Sequence, residues 1–199
     1  GVYGVFGDEF GYDFGVSRAR QNIFIDYAHS KSLSVFANAP GVTDVLAGND
    51  CHMGQNDYYL LESFLYANGL NTNLDGYKLV GDAAYIYSKK TKVSVAVTAT
   101  AKNPGDVNST SNTTNAFLQS WYGTAMYNFD AFQFTSSAYS ADASALVYFF
   151  PNPITSYGTS WKDYDWVHQV SKDKYQRSTD KYTLYITGPD STATGGHTP

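Results

Sequence analysis

The chain has 199 residues and a formal net charge of −5, enough length for one domain whose core needs neither disulfide nor metal. Only 16% of residues are charged and 17% are aromatic, so its polar surface is built from Ser, Thr, Asn, Gln and Tyr. There is no basic run to track nucleic acid and no 18-residue apolar run to cross a membrane as a helix, so neither nucleic-acid binding nor membrane insertion is expected, a β-barrel being the span whose sequence signal is weaker.

Residues 1–16 alternate. Even positions from Phe6 onward are almost all aromatic (Phe6, Phe10, Tyr12, Phe14), and odd positions are glycines and carboxylates (Gly7, Glu9, Gly11, Asp13, Gly15). A period of two predicts one long strand with a greasy face. Asp8 interrupts that face, marking a bend between two shorter strands or a meeting point with an ion or a basic partner. A polar break at 17–20 leads to predicted strands at 21–28 (Ile23, Ile25 and Tyr27 on one side) and 31–37. After a Pro40-Gly41 turn and a polar loop, residues 57–68 carry Leu61, Phe64 and Leu65 at helical spacing. Asp57 is their N-cap and Gly69 their C-terminal stop, which predicts one short helix.

From Tyr77 onward the pattern predicts successive strands at 77–87, 92–101, within 117–134, and at 143–150, 164–170 and 181–187. Residues 102–115 form a long polar loop, and residues 188–199 a turn-rich, loose tail. The expected fold is a single all-β domain, a two-sheet sandwich or jelly roll of about nine or ten strands with one short helix.

Candidate functional residues are few. Asp8, Glu9 and Asp13 sit among glycines. They are weighed as Ca²⁺ ligands, as a glycosidase's acid and nucleophile, or as solvent-facing charges that blunt an edge strand. No other cofactor is implied. His29, His52, His168 and His197 are scattered, without zinc-site spacing. The lone Cys51 excludes an internal disulfide and reads as an inert, partly buried thiol. Asn108 and Asn112 each open an Asn-x-Ser/Thr acceptor triplet within the polar loop, which suits glycosylation outside the cell. Trp161 and Tyr157, in a loop-like stretch, are the candidate sugar-stacking residues, whereas Trp121 and Trp166 fit a sandwich core.

Phosphate-loop, nucleophile-elbow, zincin and dinucleotide motifs are all absent. The favoured expectation is a structural subunit of an extracellular or cell-surface assembly: a filament, sheath or coat. Its N-terminal strand would add to a neighbour's sheet and bury Phe6, Phe10, Tyr12 and Phe14, linking copies into a homopolymer. The Gly-Val-Tyr start fits a mature exported chain. The alternative is a secreted carbohydrate-binding module or glycoside hydrolase with glycan partners.

Overall fold

The computed structural model describes residues 1–67, 70–71, 74–101, 112–136, 147–148, 156–162, 166–188 and 193–199. The chain divides into two compact units. The first comprises residues 1–62, 79–97 and 129–131, and the second residues 63–78, 98–128 and 132–199.

The first half of the chain alternates strand and helix. β1 (Gly4–Gly7), α1 (Arg18–Ser30), β2 (Ser34–Asn38), α2 (Val42–Leu46) and β3 (Tyr58–Leu61) are followed by the short pair β4 (Tyr66–Ala67) and β5 (Leu70–Asn71). Then come α3 (Leu74–Thr91), β6 (Ser94–Ala101), α4 (Asn112–Ala125), β7 (Ala131–Ser136) and β8 (Val147–Tyr148). The last segment holds β9 (His168–Ser171), β10 (Lys174–Ser178), β11 (Thr183–Thr187) and β12 (Thr194–Thr198).

The expected all-β sandwich is therefore overturned. A sheet ordered β1-β2-β3-β6-β7-β8 has its first five strands parallel with helices between them, and a separate four-stranded antiparallel sheet is ordered β12-β11-β10-β9. The physical reason lies in four misread periods. Residues 21–28 fall in α1, where Gln21, Ile25 and Ala28 are buried at i, i+4 and i+7 while Ile23 and Tyr27 point to solvent. Residues 77–87 fall in α3, where Leu74, Tyr77, Gly81, Ala84 and Ser88 make one buried stripe. The start of 117–134 is α4. Conversely, the helix expected over 57–68 is replaced by a strand at Tyr58–Leu61, where Tyr59 and Leu61 are buried and Tyr58 faces out, and residue 68 lies outside the described residues.

In the first unit, β2 pairs in parallel with β1 and β3, and β3 with β6. The side chains divide by parity. Val35, Ala37, Tyr59, Leu61, Val95 and Val97 are buried, as are Ile25 and Ala28 of α1 and Val42, Val45 and Leu46 of α2. The opposite parity (Phe6, Phe36, Tyr58, Leu60) is only partly covered. Right-handed crossovers between strands that are neighbours in both chain and sheet put their helices on one face, which leaves the other open.

The predicted sixteen-residue strand is also corrected. β1 ends at Gly7, and Tyr12–Phe14 form a 3₁₀ turn closed by Gly15 in the left-handed region at φ 72°. Its glycine-rich sequence lets the chain curl rather than extend.

In the second unit, α4 lies on β11 and β12. The Gln119 amide donates to the carbonyls of Thr187 and Gly188, and Gly195 is needed because any Cβ there would collide with the Leu118 carbonyl. The tail expected to be loose thus holds β12, paired with β11 from Thr183↔Thr198 to Thr187↔Thr194. The core of this unit is largely aromatic, with Phe64, Tyr127 and Tyr175 around Tyr77 at ring separations of 5.0, 5.6 and 5.9 Å.

Candidate functional site at the strand ends

In parallel sheets, chemistry collects where the strands end, because the loops that follow converge there. Asp8 directly follows β1, Asn38 is the last residue of β2, and Glu62 directly follows β3. The structure brings the three together. The Asn38 side-chain nitrogen donates to Asp8 Oδ1 at 2.9 Å and to Glu62 Oε2 at 3.0 Å. In both contacts a carboxyl oxygen is the acceptor, so this end of the amide is the NH₂. Asp8 Oδ1 also accepts from the Glu9 backbone N–H at 3.0 Å. Both carboxylates are exposed and Asn38 is half-buried. The two oxygens share one nitrogen, so they lie no more than about 6 Å apart.

The backbone leaves both strands through unusual conformations. Glu9, immediately after Asp8, has φ 51°; Ser63, immediately after Glu62, has φ 57°, and Leu65 has φ 69°. Non-glycine residues in the left-handed region cost energy and collect at functional sites. Two residues back along each of β1 and β2, on the same face as Asp8 and Asn38, stand Phe6 and Phe36; Tyr58 is the partner of Phe36 in β3. Their rings meet edge to face, with centroids 5.4 Å (Phe6–Phe36) and 5.9 Å (Phe36–Tyr58) apart.

At the other end of the same strands, Asp57 precedes β3. It does not cap a helix. It is buried and accepts from the backbone N–H groups of Val35 and Gly54 and from His29 Nε2, a structural anchor.

The predicted site residues are distributed differently from expectation. Asp8 enters the carboxylate pair with Glu62, not with Glu9 or Asp13. Among the described residues, no group of three or more His, Cys, Asp or Glu side chains is placed to hold a metal ion, so Asp8, Glu9 and Asp13 are not brought together as Ca²⁺ ligands. Of the four aromatics assigned to strand donation, Phe10 is in the core against Phe24, with its carbonyl bonded by Gln21 at 2.6 Å. Phe6, Tyr12 and Phe14 are about half exposed. Asn112 opens α4, and Asn108 lies outside the described residues.

Tyr157 and Trp161 are tied into the second unit. Trp121 Nε1 donates to the Tyr157 hydroxyl at 2.6 Å, and the Thr179 hydroxyl donates to the Tyr157 carbonyl. The Arg177 guanidinium covers one face of Trp161 at 3.7 Å. Burial, followed by the neighbouring Tyr157, pushes the Tyr122 hydroxyl pKa above its ordinary value. Trp166, expected in a core, is exposed, while Trp121 stacks on Phe117. The Cys51 thiol donates to the Val45 carbonyl at 3.2 Å, and burial pushes its pKa up, which suppresses thiolate reactivity.

Asn38 and Glu62 went unseen in the sequence because no motif joins them. The available signal was positional. Each of Asp8, Asn38 and Glu62 follows an apolar residue of the same parity (Phe6, Phe36, Leu60) at a strand end. Comparison with family models, curated proteins and solved structures finds no significant match to this chain.

Proposed function

We propose that the protein is a secreted glycoside hydrolase whose catalytic pair is Asp8 and Glu62, held in register by Asn38. The observation that carries this reading is the two carboxylates sharing one amide nitrogen at the carboxyl ends of adjacent parallel strands. Glycosidases place two carboxyl groups around the scissile bond: about 5–5.5 Å apart when configuration is retained and about 6.5–9.5 Å apart when it is inverted. The shared amide keeps the two bonded oxygens within about 6 Å of each other, which favours the shorter class.

The chemistry then divides between the two groups. Asp8, oriented by two N–H donors, attacks the anomeric carbon and forms a glycosyl ester as the glycosidic C–O bond breaks. Glu62, on its longer side chain, gives its proton to the departing oxygen. It then takes one from the water that hydrolyses the ester, returning both carboxyls to their starting state.

The test is reducing-sugar release from a panel of α- and β-linked polysaccharides. Asp8→Asn and Glu62→Gln should each lower turnover by roughly 10²- to 10⁴-fold without changing far-UV circular dichroism. NMR of the first-formed product should show retained configuration. A parent protein that cleaves nothing in the panel, or variants that cleave as well as the parent, would overturn this reading.

A second reading, self-association at a cell surface, is favoured by a different observation. Among the described residues β1 is the terminal strand of its sheet, and residues 1–7 contain neither charged side chain nor proline, the usual devices that blunt an edge. Val2 and Tyr3 beside it are exposed. In this reading β1 stays paired with β2 and a second copy adds along its other edge. Light scattering tests it: Tyr3→Lys should reduce the assembled mass, and a parent that remains monomeric at high concentration removes it.

A further inference from the structure

Resting on the hydrolase reading, we propose that the aromatic rung Phe6–Phe36–Tyr58 is a sugar-stacking platform, and that the substrate is a pyranose oligosaccharide rather than a single sugar. The rung crosses three strands in direct register, Phe6↔Phe36↔Tyr58. Phe6 is 52% and Tyr58 43% exposed, and Phe36 between them is half-buried.

Three adjacent aromatics left open on a sheet face form an apolar surface of the kind that marks a binding site. The neighbouring positions Gly4, Ser34, Leu60 and Ser94 on that face carry no charge, and the charged neighbour there, Asp8, belongs to the proposed catalytic pair. This mixture of ring faces and neutral hydroxyls matches a pyranose, which presents an apolar C–H face and a rim of hydroxyls. An acidic peptide finds no counter-charge on the rung itself.

The dimensions agree with an oligomer. Strands stand about 4.8 Å apart, so Phe6 to Tyr58 spans roughly 10 Å, about two hexose rings. Asp8 and Asn38 lie two residues further along β1 and β2, or roughly 7 Å from the rung. A sugar held between the carboxylates would have its chain neighbours over the aromatics, so the platform grips units other than the one whose bond breaks. It therefore acts on chain-length preference and not on the bond-breaking step.

The test separates binding from turnover. The parent protein is applied to an array of neutral pyranose oligosaccharides of two to six units, and the best-bound oligomer is then titrated calorimetrically. Tyr58→Ala and Phe6→Ala should each weaken that oligomer about fivefold to tenfold. Both should raise KM for that oligomer several-fold more than KM for an aryl monoglycoside of the same sugar. Leu79→Ala, at an exposed apolar position off this face, should change neither.

If the parent binds no oligosaccharide, the platform is overturned. The same follows if the aromatic variants bind as tightly as the parent, or lose monoglycoside and oligomer equally. Self-association that disappears in Tyr58→Ala would also overturn it, making the face a protein interface. Oligomer binding that depends on Tyr58, together with full turnover in Glu62→Gln, would keep the platform and remove the assigned catalytic pair.

Discussion

Asp57 is 1% exposed, yet both of its oxygens are satisfied. Oδ1 accepts from Val35 N–H at 2.8 Å, Oδ2 from Gly54 N–H at 2.9 Å, and His29 Nε2 lies 3.0 Å from each. Removing it orphans two backbone donors, one of them in a buried strand, as well as the imidazole. Asp57→Ala should therefore cost about 2–5 kcal/mol in urea unfolding. His29→Ala should cost less, since that ring is 39% exposed and solvent can replace it.

Asp180 makes a second test through pH. It accepts from the backbone N–H groups of Thr159 and Ser160 and from the Thr159 hydroxyl, and these bonds hold its carboxyl below the ordinary aspartate value. A depressed folded-state pKa stabilises fully above the unfolded value near 3.9 and is lost as pH falls through the folded value. Residues 158–160 should thus loosen only below about pH 4. Asp180→Asn should abolish that acid transition, as read from amide chemical shifts of Thr159 and Ser160. At this scale Asp8 was legible, since it breaks the greasy face at the point where β1 stops. Glu62 was hidden because its segment also matches helical spacing, with Leu61, Phe64 and Leu65 at i, i+3 and i+4.

Helix α1 shows where local patterning misleads. Its alternation of Ile23, Ile25 and Tyr27 imitates a strand, but only Ile25 is buried. What decides the matter is Gln21, a polar residue buried because its amide reaches the Phe10 carbonyl, with Ser17 as N-cap. Once Gln21 counts as an inward position, the helical stripe of Gln21, Ile25 and Ala28 is complete. A mutant pair distinguishes the two periods. Ile25→Ala should destabilise by about 2–5 kcal/mol and Ile23→Ala by less than about 0.5 kcal/mol, as measured by chemical denaturation. A strand would make the two costs similar. The strand β6 was legible because Val93, Val95, Val97 and Ala99 alternate with Ser94, Ala96, Thr98 and Thr100, and nothing in the segment offers a helical alternative. In α3 a strand was expected over 77–87, but the buried positions 77, 81, 84 and 88 follow the helical period.

On the scale of the whole chain, aromatic content and low charge suggested sheet, and sheet is present. The parallel order was missed because it depends on recognising α1, α3 and α4 as the connections between strands. The order β1-β2-β3 also means that the two proposed catalytic carboxylates are not held equally. Glu62 follows a strand flanked by β2 and β6, whereas Asp8 follows β1, which among the described residues is paired only with β2. Fraying at a sheet's end requires far less than global opening, so one half of the site melts before the other. Hydrogen exchange should be faster for the amides of β1 than for those of β3. Heat should then remove catalysis several degrees before ellipticity falls, and reversibly, because only a four-residue strand has to zip back. Equal protection of the two strands would refute this. Faster exchange in β1 would instead mark the proposed catalyst as one whose working temperature is set by its weakest strand edge and not by its core.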